Sequence, residues 1–135
     1  MGSVNPRVAV SAYAKTATET ASPRELEAGL LLNAAAKLQA SLDLWEDKPP
    51  ALSAALLYNR QLWIVFIDAV MRDDNRLPLE VRQNVLNLGA FVLAETFSLM
   101  TKPKPEHLTN LIRINRRIAA GLRATHKDRD TQVAA

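Results

Sequence analysis

The sequence contains no cysteine, so a disulfide framework, a thiolate nucleophile and a sulfur metal site are all excluded. Its two histidines, His107 and His126, are not at the three- or four-residue spacing that sets two imidazoles on one helix face. Glycine appears four times, never in the clustered pattern of a phosphate-cradling loop. No serine sits in a nucleophile-elbow pattern, and Asp73-Asp74 lies among turn formers, as a loop would, and not as a catalytic dyad. Aromatic residues are 5% of the chain and are not interleaved with the basic ones, which argues against a base-stacking platform. Uninterrupted apolar runs, such as LLL at 30–32 and LWIVFI at 62–67, are far short of a membrane span. No apolar segment with a cleavage-like site opens the chain. The expectation is a cytoplasmic protein that is not an enzyme, with no cofactor, no metal and no membrane span.

What the 135 residues do contain is 48% hydrophobic and 23% charged side chains, an ordinary globular balance sized for one domain. Alanine, leucine and polar helix formers dominate, which points to an all-α fold. Ser22-Pro23-Arg24-Glu25 carries a capping serine, a proline for the first helical position and a glutamate to close a capping box. That helix is expected to run to about Trp45, where Pro49 and Pro50 end it. A second long helix is expected from about Pro50 to Arg72, a third over Leu79–Met100 and a fourth from Pro105 to Leu122, with Gly121 helping to terminate it. A short N-terminal helix around Tyr13 completes a single bundle over residues 11–124. Residues 1–10 and the charged tail 125–135 are expected to be flexible. Short connections make neighbouring long helices antiparallel.

Polar and apolar residues out of place are the local clues. Asn59 falls in the apolar stripe of Leu62, Trp63, Phe66 and Val70, and Asn115 among Leu111, Ile118 and Leu122. A buried amide needs a partner, and each is the obvious candidate for the other; a second reading sets both beside a groove that receives a partner helix. Conversely Leu57, Ile64, Val65 and Phe91 sit off the main stripes, as scattered surface residues or as a contact patch. Phe97 is read with Leu86 and Leu93 as one side of a broad core-facing surface on the third long helix, where Gly89 permits a close backbone approach. The formal charge is +3, with the basic excess beyond residue 101. Arg113, Arg116 and Arg117 group opposite the apolar stripe of the last helix, either as a solvated face or as a contact for RNA or an acidic protein.

The segments AYAKTATETASPRELEAGLLLNAAAKLQ, ALLYNRQLWIVFIDAV, LPLEVRQNVLNLGAFV and LIRINRRIAAGL together resemble the FlaF family of flagellar biosynthesis proteins of alphaproteobacteria. The family-like positions are Tyr58, Asn59, Arg60, Trp63, Arg82, Asn84, Asn87, Asn115, Arg116 and Gly121. The resemblance implies a small helical protein without catalytic residues or cofactor, required for flagellin production and export. It implies flagellin as the bound partner, in the manner of a secretion chaperone, and a functional link to FlbT, which restrains flagellin synthesis through its messenger RNA. On that footing Leu57, Ile64, Val65, Phe91, Arg113, Arg116 and Arg117 are the candidate contact residues. Contact with RNA at the basic last helix is the alternative.

Overall fold

The helix signals of the chain resolve into four helices whose ends are set by proline and by side-chain caps. In the computed structural model, which describes residues 23–47 and 50–134, α1 spans Pro23–Asp43, α2 Ala51–Met71, α3 Leu79–Thr101 and α4 Pro105–Ala134. No strand occurs among the described residues. The short helix expected around Tyr13 and the cap expected at Ser22 lie outside them.

Helix α1 stops two residues before Trp45, and Trp45–Asp47 form a 3₁₀ turn. The α conformation is disfavoured ahead of a proline, so the approach to Pro49-Pro50 tightens the chain. Helix α2 ends at Met71 because the next residue, Arg72, with φ of −76° and ψ of 141°, is extended. Its last carbonyls, which have no partner within the helix, are taken up by side chains. Asn75 Nδ2 donates to Ala69 O at 3.0 Å, while Asn75 Oδ1 accepts from the Leu77 N–H. From the next helix, Arg82 donates to Val70 O at 2.8 Å and to Arg72 O at 3.0 Å. A guanidinium at a helix C-terminus also suits the negative end of the helix dipole.

Helix α4 differs most from the sequence expectation. It passes Gly121 and Leu122 without a break and continues to Ala134. Beyond Gly121 there is neither proline nor glycine to stop it, and a lone glycine costs an established helix only about 1 kcal/mol.

Connections over 44–50, 72–78 and 102–104 are too short to cross the bundle, so each helix reverses on its predecessor. Asn33 of α1 meets Tyr58 of α2, Arg82 of α3 meets Val70 of α2, and His107 of α4 meets Glu95 of α3. Helices α1 and α4 close the ring with the most extensive contact of all. The buried alanines Ala28, Ala34 and Ala35 of α1 let that pair approach closely. The result is a four-cornered up-down bundle in which α2 and α4 lie on one diagonal.

Helices α2 and α3 also meet tightly. A Cβ at Gly89 would lie 2.7 Å from Ile67 Cδ1 and 2.8 Å from Cγ1. What the glycine admits is therefore a side chain, where the sequence had suggested a backbone.

Candidate functional site

At the centre of the bundle the two misplaced amides meet. Trp63 Nε1 donates to Asn115 Oδ1 at 2.9 Å, and Asn115 Nδ2 donates to Asn59 Oδ1 at 2.7 Å and to Leu31 O at 3.4 Å. The amide orientations follow from the chemistry. An indole N–H can only donate, so it faces the oxygen of Asn115; the Asn115 amino group must then find the oxygen of Asn59. Asn59 Nδ2 is left without a partner among the described residues. Asn59, Trp63 and Asn115 are fully buried, so neither amide reaches a surface on which a partner helix could lie. Trp63 also packs edge-on against Phe66, with centroids 6.1 Å apart. This network ties α1, α2 and α4 in register and offers no group to a ligand.

One end of the bundle carries a partly open, mainly apolar cleft of about 40 Å³ under the Arg24–Glu27 ion pair, with Phe66, Leu77, Val85 and Leu122 in its walls. Burial pushes the Glu27 carboxyl above its ordinary value of 4.5, and the neighbouring Arg24 guanidinium opposes that rise. A second buried acid, Glu95, is held by His107 Nδ1 at 2.7 Å and Asn110 Nδ2 at 3.2 Å. Both features pair an acid with donors. No cluster of metal-ligating side chains occurs among the described residues.

The surface is more informative. Helices α2 and α3 are each long and apolar enough to cross a membrane by length and composition, with a mean hydropathy of 1.2. Uninterrupted runs had hidden this, because isolated charges break them. Yet only 39% and 33% of those stretches are buried in the bundle, so much of their apolar content faces outward. On α3 the excess is ordered. At about 100° per residue, Leu79, Leu86, Ala90, Leu93, Phe97 and Met100 fall within about 80° of one another. Leu79, Phe97 and Met100 are 67%, 68% and 67% exposed. Across the groove, Leu57, Ile64 and Met71 repeat every seven residues along α2 and are exposed as well. The Gly89–Ile67 contact fixes which sides of the two helices touch and brings the two stripes to the same outer face.

The sequence-derived contact residues are thereby divided. Leu57 and Ile64 belong to this α2–α3 face. At about 100° per residue, Val65 lies about 100° round α2 from Ile64, and Phe91 lies about 140° round α3 from the middle of its stripe, beside Asn84, Asn87 and Ala94. The four do not form one patch. Arg113, Arg116 and Arg117 line a shallow groove of about 320 Å³ between α1 and α4, on the opposite side of the bundle. Arg116 donates there to Gln39 at 3.3 Å. No aromatic side chain is among the residues lining it. Phe97, Met100, Leu79 and Met71 also stand exposed on the α2–α3 face without having been singled out in the sequence, and Phe97 is corrected from core to surface. The seven-residue repeat Leu79, Leu86, Leu93, Met100 was the available signal.

Among known proteins, the family model described as "Flagellar protein FlaF" matches residues 9–122. No curated protein sequence and no solved structure matches the chain.

Proposed function

The chain belongs to the FlaF family of flagellar proteins, which sets it in flagellar biosynthesis without catalysis, and from that premise we propose that it is a cytoplasmic flagellin-binding chaperone. It covers an apolar helical segment of newly made flagellin, prevents premature association, and so promotes flagellin synthesis and secretion. One observation carries the reading: the exposed apolar face of α2 and α3 on an otherwise completed bundle. Surfaces of this kind mark interaction sites, because contiguous apolar area left in water costs free energy that a partner recovers. A helix laid in a groove between two helices is a recurring way to recover it. No reaction centre is needed for such work.

The second reading assigns the protein to post-transcriptional control of flagellin messenger RNA together with FlbT. It is favoured only by the row Arg113, Arg116 and Arg117 on α4, which is exposed. Phosphate binding by arginines weakens steeply with salt, whereas an apolar interface does not. Purified protein is therefore mixed with monomeric flagellin and, separately, with flagellin leader RNA, and the complexes are followed by gel filtration at low and high salt. A flagellin complex that persists in high salt is the expected result. RNA binding that disappears when the three arginines are neutralised, with no flagellin complex at either salt, overturns the chaperone reading in favour of the second.

A further inference from the structure

The α2–α3 face has a shape, a length and an uneven charge, and together these describe its occupant. Its walls are two antiparallel helices, so what fits between them is a third rod of the same kind. The α3 stripe from Leu79 to Met100 is about 30 Å long at 1.5 Å per residue, enough for about 20 residues of helix. Within the groove Arg82 is tied to the carbonyls of α2. Asp68, at the outer edge, is paired with Arg72. The exposed Arg60 has no ion-pair partner among the described residues, and it follows Leu57 by three residues and precedes Ile64 by four. Lys102 and Lys104, likewise exposed and without an ion-pair partner among them, stand where the stripe ends after Met100. Because α2 and α3 are antiparallel, Arg60 and the two lysines belong to the same half of the face. That half is apolar and cationic.

Resting on the chaperone reading, we propose that this face seats one amphipathic terminal helix of flagellin, lying parallel to α3 with its acid-bearing C-terminal end at Arg60, Lys102 and Lys104. The negative end of a helix dipole and any carboxylates near it are stabilised by those cations. The apolar residues of the bound helix cover Ile64, Leu93 and Phe97. Val65, Phe91 and the arginine row of α4 stay in solvent.

The test uses full-length protein and purified monomeric flagellin. Phe97→Glu and Ile64→Glu should each weaken the complex at least about tenfold, as expected for central apolar contacts. Arg60→Glu should weaken it less and flatten its salt dependence. Phe91→Glu and Arg113→Glu should stay within about twofold of the parent. Because the chain has no cysteine, Met71→Cys and Met100→Cys give unique attachment points for a photo-crosslinker. Cross-links from position 100 should map to the C-terminal end of the bound flagellin helix and those from position 71 to its N-terminal end. A reversed map, or undiminished binding by both Phe97→Glu and Ile64→Glu, overturns the proposal while the chaperone reading stands. No flagellin complex with the parent protein sinks both. A parent chain that dimerises where Phe97→Glu is monomeric assigns the face to a second copy and overturns the proposal. So does co-sedimentation with anionic phospholipid vesicles that Phe97→Glu abolishes.

Discussion

Removing Asn115 should cost far more than removing Asn59, although the two amides bond to each other. Asn115→Ala strips the partner from the Trp63 indole N–H and from the Asn59 oxygen, both fully buried. A buried polar atom left unsatisfied costs about 1–3 kcal/mol, so two cost about 2–6 kcal/mol before any cavity is counted. That is a large part of the roughly 5–15 kcal/mol that holds a domain of this size folded. Asn59→Ala is different. It leaves Asn115 Nδ2 with its longer bond to Leu31 O and also deletes an amino group that had no partner among the described residues. The expected cost is about 1–2 kcal/mol. Once Asn115 is gone, the Asn59 oxygen is a liability, so the double variant should lie close to Asn115→Ala alone, a coupling of about 1–2 kcal/mol. Urea unfolding followed by helical circular dichroism measures all four proteins, with an unchanged slope confirming a common unfolded state. Costs that add to within about 0.5 kcal/mol, or a larger cost for Asn59→Ala, would refute the reasoning.

Two of the helical glycines, Gly89 and Gly121, should respond with opposite sign. Gly121→Ala meets nothing within 4 Å and should stabilise α4 by about 0.5–1 kcal/mol, whereas Gly89→Ala drives a methyl into Ile67 and should destabilise by about 1–3 kcal/mol in thermal melts. In an Ile67→Ala background the Gly89→Ala change should become neutral or stabilising; a persistent loss counts against the side-chain clash. Arg82→Ala uncovers two α2 carbonyls and should cost about 1–3 kcal/mol, with Arg82→Lys recovering only part of it. Glu27 is a carboxyl whose folded pKa is raised, so its contribution is fully present below its ordinary 4.5 and is lost as pH rises through the folded value. Glu27→Gln should therefore match the parent in acid and become progressively the more stable protein toward neutral pH. A stability gap that is flat with pH would contradict this.

Much of the fold could be read from one-dimensional pattern because its determinants are local. Pro23, Pro50, Pro78 and Pro105 stand at or beside the helix boundaries in the chain as in the structure, since proline fixes φ and removes a donor wherever it sits. The partnership of Asn59 with Asn115 was approachable on the single premise that a buried amide must be satisfied. The contact surface was not. Periodicity identifies an apolar stripe but says nothing about what covers it. Phe97 shares its stripe with Leu86 and Leu93, both half-buried, so the pattern alone assigned it to the core. Only the position of α2, fixed through Gly89 and Ile67, shows that the stripe continues past the neighbour into solvent. Arg82 and Asn75 were equally hidden, since a cap supplied from the following helix depends on how the turn folds back.

The broadest packing in the bundle joins the first of the four helices to the last. During synthesis α1 leaves the ribosome with its leucines and alanines open, and α2 and α3 arrive without being able to close over them. Only the emergence of α4 completes the four-helix packing. Truncation or stalling after Thr101 thus yields no smaller working version, only a three-helix intermediate with a bare seam, prone to aggregation and to capture by proteases.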